Sequence, residues 1–325
     1  MDTSTELHPA NPYARVRVNS HDLIALRLYA AAIDMSSGLV RSKQTGNRLS
    51  TFKGRGMDYE ESRRYQYGDD RRNLDWRVMA RTGIPHTKLF REERERPVYL
   101  CLDVRPSMQF ATQGSFKSVI AARALALVGW AAFGHGDRVG GVVFGGAQRL
   151  ERRPARGKRA ILNWIHDVSR DENWLVDRSG ESRPALTVDD KSQSVAAGEH
   201  LQDKLQRIFR VSRPGSLLVI ATDWRDFDDA TENQLMKLAQ HNTLLLFFVY
   251  DPLEKSLPPP GVYAVTSGKS VLAMDSRNAN RRNDYAKEFE QRRARVHRAA
   301  TKIRATCIDI STDDDVKSVV LRALR

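Results

Sequence analysis

The chain has 325 residues, 41% of them hydrophobic, so it can bury the core of one large domain or of one domain with an extension. Its 53 Lys and Arg exceed its 40 Asp and Glu by 13; the excess is spread along the chain, which suggests an anionic partner surface and excludes a polybasic tail. Two cysteines exclude a disulfide scaffold, and Met1–Arg17 is too polar for a signal peptide; with no apolar run near the roughly 20 residues of a membrane span, a cytoplasmic protein without membrane insertion is expected.

Residues 1–18 read as a flexible arm. Asn19 or Ser20 can cap a helix over 21–35 that places Leu23, Leu26, Tyr29, Ala30 and Ile33 on one face. Residues 36–50 are polar and irregular. From Lys53 to Arg96 twelve Lys/Arg and nine Asp/Glu interleave with Tyr, Trp and Phe. Mixed signs at this density imply a network of ion pairs and hydrogen bonds rather than a phosphate-binding stripe. Arg63, Arg64, Arg71 and Arg77 are expected to order the segment against Asp69, Asp70 and Asp75, with Tyr65 and Trp76 among them. The segment either docks a partner or staples the fold. Gly54-Arg-Gly56 is too little for a phosphate loop, and no P-loop pattern occurs.

Residue 97 begins an alternation of strands and helices. Strands are predicted at Val98–Leu102, Val139–Phe144, Leu217–Thr222, Leu244–Tyr250 and Cys307–Ile310, with an edge strand from Leu150 to Arg153. Helices are predicted over 116–134, 158–169, 198–212, a stretch ending near Asn242, 279–304, and a short one ending at Leu324. A loop fills 170–197, and a hairpin insertion lies near 258–275. Apolar strands alternating with helices imply a doubly wound, mainly parallel sheet covered on both faces. The chain thus divides into the arm, an N-terminal helix with the charged segment (19–96), and an α/β domain (97–325).

Three strands run into carboxylates, at Asp103, Asp223 and Asp251. Parallel strands bring such ends to one edge, where α/β sheets bind ligands, so Asp103 and Asp223 form a candidate pair. The alternative for Asp223 is a helix cap in its Asp-Trp-Arg-Asp turn. The turn Asp103-Val-Arg105-Pro-Ser107-Met108 follows the first of these strands directly.

Gly54-Arg-Gly56-Met-Asp58-Tyr59, Arg64-Tyr65-Gln-Tyr67-Gly68-Asp69-Asp70-Arg71, Leu74-Asp75-Trp76-Arg77 and Ala80-Arg81 resemble the signature of a bacterial family known as domain of unknown function 58, and Glu92-Glu93 and the Asp103–Met108 turn fit as well. The resemblance covers roughly residues 20–250. It implies a core similar to the von Willebrand factor A domain and partnership with MoxR-type AAA+ ATPases in a chaperone-like or assembly role. Some von Willebrand A domains hold a metal through Asp-x-Ser-x-Ser, a loop Thr and a later Asp. Asp103, Ser107 and Asp223 match three of these positions. Arg105 replaces the middle Ser, and no Thr stands near Arg153-Pro154. A guanidinium at Arg105 would pair with Asp103 and Asp223 and substitute for the metal; if an ion is bound, its oxygen ligands would favour Mg²⁺.

The leading expectation is a non-enzymatic interaction module that binds such an ATPase or a client. Nucleic-acid binding would use the 279–304 helix, where Arg281, Arg282, Lys287, Arg292, Arg293, Arg295, Arg298, Lys302 and Arg304 face only Asp284, Glu288 and Glu290. Sparse aromatic residues there count against single-strand binding, and a solvated helix face is the simpler account. A metal-dependent hydrolase would use Asp103, but Arg105 stands where an Asp-x-Asp pair needs its second carboxylate. His135, His166 and His241 lie at helix ends or turns, where a histidine caps or is solvated.

Overall fold

A computed structural model describes residues 15–35, 57–92, 95–145, 150–170, 200–266 and 271–325. In chain order the elements are α1 (Ser20–Ala25), α2 (Arg27–Ala30), β1 (Met57–Arg64), α3 (Trp76–Thr82), β2 (His86–Glu92), β3 (Pro97–Asp103), α4 (Lys117–Gly134), β4 (Arg138–Phe144), β5 (Leu150–Ala155), α5 (Lys158–Arg170), α6 (Leu201–Val211), β6 (Leu217–Thr222), α7 (Asp229–His241), β7 (Thr243–Tyr250), α8 (Pro252–Lys255), β8 (Val262–Thr266), β9 (Val271–Asp275), α9 (Ala279–Ile303), β10 (Thr306–Ser311) and α10 (Val316–Ala323). The arm up to residue 14, the irregular stretch 36–56 and the loop 171–199 lie outside the described residues.

The chain forms two compact units, residues 42–96 and the remainder. The N-terminal helical segment, expected to go with the charged segment, therefore belongs to the α/β unit. Trp130 Nε1 of α4 donates to the Leu23 carbonyl at 2.9 Å, and Asp34 N donates to Leu324 O at 3.0 Å. The expected single helix over 21–35 is two short ones that meet at Leu26. Asn19 supplies the cap, its side chain accepting from His21 N. A turn at Leu26 separates the two helices, and three-residue bonds run from Tyr29 N to Leu26 O and from Ile33 N to Ala30 O at the ends of α2. The break at Leu26 interrupts the 3.6-residue face. Leu23, Leu26, Ala30 and Ile33 stay buried, but Tyr29 turns outward to 40% exposure.

The main sheet has the order β10-β7-β6-β3-β4-β5, parallel except for β5, which runs antiparallel to β4 at the edge. Alternate residues of each central strand serve opposite faces. Leu100, Leu102, Val219, Phe247 and Val249 enter one core with α1, α2, α4, α5 and α10. Tyr99, Cys101, Ile220, Leu246 and Phe248 enter the other with α6, α7 and α9. This two-sided burial explains why the strands read as unbroken apolar runs. β5 alternates half-buried and exposed residues and carries Pro154, as an edge strand can. Helix α4 is long and apolar enough, by length and composition, to cross a membrane, closer to that limit than the sequence reading allowed. Here 83% of it is buried, as in the central helix of a folded core.

The unit of residues 42–96 is built on the antiparallel pair β1–β2, with α3 in the connection between them. The expected hairpin near 258–275 forms as β8–β9.

Candidate functional site

From β3 the chain proceeds to β4 and β5 on one side of the sheet, whereas β6 leads to β7 and β10 on the other. The order therefore reverses between β3 and β6, and both strands end there in polar residues, Asp103 and Thr222–Asp223. Leu102 is in register with Ala221, so Asp103 comes level with Thr222. The predicted pair thus stands at the topological switch point, where α/β sheets form their sites.

Arg105 fills the space between the carboxylates. Its Nε lies 3.1 and 3.0 Å from the two oxygens of Asp103. Its Nη2 donates to Asp103 Oδ2 at 2.9 Å and to Thr222 Oγ1 at 3.3 Å, and lies 3.7 Å from Asp223 Oδ1. Its Nη1 lies 3.0 Å from both oxygens of Asp226. Each of the three guanidinium nitrogens thus has a carboxylate acceptor. Gly145 makes room for it, because a Cβ there would lie 2.2 Å from Arg105 Cγ. The Arg105 backbone N–H also donates to Asp103 Oδ1 at 2.9 Å, and Thr222 Oγ1 donates to Asp103 Oδ2 at 2.5 Å.

A second cation continues the cluster. Lys117, the first residue of α4, is fully buried; its Nζ lies 3.0 Å from Asp223 Oδ2 and 2.7 Å from Glu254 Oε1. A lysine at a helix N-terminus opposes the helix dipole, so these two carboxylates are what hold it there. Arg225 Nη2 adds a third positive group, 2.9 Å from Glu254 Oε1. Four carboxylates thus interleave with three cations. The turn that brings Asp223 and Asp226 to the same guanidinium passes through Trp224 at φ +52, an uncommon backbone for a residue with a side chain. The indole is fully buried and donates to Phe247 O at 3.0 Å, which fixes the turn.

The two predicted carboxyls are driven apart in acidity. Burial raises Asp103 above its ordinary range despite Arg105. At Asp223 burial acts in the same sense, but Lys117, then Arg105 and Arg225, outweigh it and hold the group well below the usual carboxylate range. Burial disfavours the charge on Arg105, yet Asp103 and Asp223 keep it firmly protonated.

These donors do not fit a divalent metal. The position a cation would take among Asp103, Asp223 and Asp226 holds a guanidinium that already engages both oxygens of Asp103 and of Asp226. Ser107, the third predicted ligand, sits in the turn Pro106–Met108 half-buried, with no hydrogen bond to a described residue. Asp251, the third strand-end carboxylate, is structural: it caps α8 and accepts from Thr112 and Thr312. The helix cap that was the alternative for Asp223 belongs to Asp228, which accepts from Thr231 N at 2.8 Å. Asp226 accepts instead from Leu201 N at 2.7 Å and so ties the start of α6 to Arg105.

The charged unit resolves differently from the network expected. Arg63 pairs with Asp69 at 2.7 Å. The other carboxylates serve the backbone and a hydroxyl. Asp75 accepts from Ser62 Oγ at 2.7 Å and from Val78 N at 3.2 Å, capping α3, and Asp70 accepts from Arg72 N at 2.9 Å. Tyr65 donates its hydroxyl to Asp69 O at 3.2 Å. The hydroxyl of Ser62, then burial opposed by the Val78 N–H, leaves Asp75 below the usual carboxylate range; for Asp69 the leading cause is the Gln66 N–H. Arg64, Arg71 and Arg77 are exposed and make no ion pair with a described residue, and Trp76 is 62% exposed. Sequence reasoning paired these arginines with carboxylates that the backbone claims.

Elsewhere, His297, Cys307 and Asp309 come close enough to share a cation. Arg293 Nε lies 2.7 Å from one oxygen of Asp309, and His297 Nε2 lies 2.7 Å from the other. Burial, then Asp309, pushes the Cys307 thiol up to about 12. The trio joins α9 to β10 through an ion pair beside a protonated thiol. Lys117, Thr222, Arg225, Asp226 and Glu254 were not anticipated as site residues. For Lys117 a signal existed, a lone cation opening an otherwise apolar helix.

Fold and site together define an α/β protein with a mostly parallel sheet, whose switch-point edge is closed by its own cations, and which carries a separate charged two-stranded unit. Residues 61–295 match the family described as Protein of unknown function DUF58, and the chain belongs to that family. Uncharacterized proteins of Mycobacterium bovis and Mycobacterium tuberculosis are 27% identical to it over 278 residues, covering 85% of this chain and 81% of theirs. The crystal structure of a conserved hypothetical protein BatB from Bacteroides thetaiotaomicron aligns over 70% of this chain and 95% of its own with 13% identity and a TM-score of 0.36, too distant to carry an argument.

Proposed function

We propose that this chain is a non-enzymatic protein-interaction module, von Willebrand factor A-like in architecture, that acts with a MoxR-type AAA+ ATPase in chaperone-like maturation or complex assembly in the cytoplasm. The observation that carries the reading is Arg105. Its guanidinium stands at the switch point with all three nitrogens engaged by carboxylates, so the position between Asp103, Asp223 and Asp226 is already filled and is not open to a metal. That counts against the metal-dependent hydrolase and favours a degenerate adhesion site kept as a frame. The ATPase comes from the family resemblance, and the client is open. Nucleic-acid binding through α9 loses support because several of its cations are engaged. Arg293 meets Asp309, Arg295 meets Asp229 and Glu232, and Lys302 lies 3.7 Å from Glu232.

The test is co-purification of the chain with a MoxR-type ATPase of the same organism. The reading expects a complex that needs no added Mg²⁺ on the side of this chain and that weakens when residues 51–96 are removed. If Asp103→Ala, Asp223→Ala and that deletion all leave the complex unchanged, the reading fails.

A further inference from the structure

Helix α3 has no buried residue, although it is capped at both ends. Asp75 accepts from Val78 N at its start, and Gly83, at φ +69, ends it with a left-handed turn. An isolated seven-residue helix is unstable in water, so its caps and its place between β1 and β2 hold it in shape. They hold up a face that its own unit does not bury. Trp76 and Ala80 form one exposed row four residues apart, and Arg77 and Arg81 form the adjoining row. Trp76 is 62% exposed, and Tyr67, in the preceding turn, is wholly exposed.

The charges on this face are one-sided. Asp69, Asp70 and Asp75 point their oxygens at Arg63, at backbone N–H groups and at hydroxyls. Arg77 and Arg81 make no ion pair with a described residue, and neither do Arg71 and Arg72. A tryptophan with flanking arginines is the composition of a binding hot spot, where the ring supplies apolar area and the guanidiniums orient a carboxylate. A phosphate backbone would also meet the arginines. Protein is favoured because the arginines adjoin an exposed tryptophan on one seven-residue helix rather than forming a long basic stripe, a footprint that suits a short acidic segment with an apolar anchor better than an extended polyanion.

We propose that the exposed face of α3, centred on Trp76, Arg77 and Arg81, docks an acidic protein segment that carries an apolar side chain as its anchor. The proposal rests on the interaction-module reading and names the surface and the chemistry of the partner. The probes are a labelled synthetic peptide of alternating Glu and Leu, an oligothymidylate, and the purified MoxR-type ATPase. Trp76→Ala and the double variant Arg77→Glu/Arg81→Glu are each expected to weaken peptide binding about tenfold or more. The charge-matched variant Arg210→Glu/Arg298→Glu, exposed positions on α6 and α9, is expected to shift it far less. All of these substitutions are at exposed positions, and circular dichroism checks that the variants remain folded.

Absence of peptide binding, or equal loss in the charge-matched control, overturns the proposal. So does tighter binding of the oligothymidylate that the same α3 variants abolish. Should the ATPase bind wild type and both α3 variants alike, the α3 proposal falls and the module reading stands. Should the peptide bind through α3 while the ATPase binds no variant and no wild type, the module reading falls and the α3 surface stands.

Discussion

Arg105 is the residue on which the site depends. It neutralises Asp103 and Asp226 directly and lies near Asp223, and its own side chain is almost wholly enclosed. Removing one partner from a buried ion cluster strands the others without water to solvate them. Arg105→Ala is therefore expected to lower stability by about 3–5 kcal/mol, measured by urea unfolding. Arg105→Lys should recover only part of this, since an ammonium cannot reach two carboxylates with paired donors. The acidity of Asp223 makes a separate prediction. Its folded-state pKa lies below the ordinary value, so its stabilising contribution is present above the usual carboxylate pKa of about 3.9 and is lost as pH falls through the depressed value. Unfolding free energy measured down from about pH 5 should drop steeply in wild type, with a shallower acid limb in Asp223→Asn. An identical slope in both would remove Asp223 from the account. At this scale the sequence was partly legible. Arg105 announced itself by standing between an Asp and a Ser where a small hydroxyl was expected. Asp226 and Glu254 did not, because their roles come from elements distant in sequence that only the folded edge brings together.

Elements are where the reading of the charged segment changed. Density of charge suggested many ion pairs, yet the structure uses its carboxylates mainly as caps. A cap sequence such as Leu74-Asp75-Trp76-Arg77 was present to be read, but competition between an arginine and a backbone N–H for one carboxylate is decided by local geometry. Asp75→Ala removes the α3 cap and the bond from Ser62. It is expected to cost about 1 kcal/mol, with faster hydrogen exchange at the amides of Val78 to Thr82 and unchanged exchange in β3. Protection lost equally in both places would mean that the two units unfold together. The N-terminal helix teaches a related lesson. Its apolar spacing correctly marked Leu23, Leu26, Ala30 and Ile33, but the helix breaks at Leu26 and Tyr29 stays outside, and spacing alone does not reveal that break.

For the whole molecule, alternation of apolar strands and helices was enough to place the main sheet, since strands buried on both faces leave continuous apolar runs such as Leu244–Tyr250. Strand order was not legible, and with it the fact that Asp103 and Asp223 occupy the switch point between β3 and β6. Nor was the grouping of the N-terminal helices with the α/β unit, which depends on contacts with α4. The resulting picture is a sheet whose switch-point edge is filled by internal cations, and the proposed interaction role therefore rests on other surfaces. Arg105 occupies the position a metal would take among Asp103, Asp223 and Asp226. The most direct test of this is Mg²⁺ and Mn²⁺ binding by equilibrium dialysis, together with thermal unfolding in Mg²⁺ and in EDTA. With the guanidinium in place, no stoichiometric uptake and the same unfolding temperature in both conditions are expected. Uptake of one ion per chain, with a stabilisation that Asp103→Ala abolishes, would contradict this assignment.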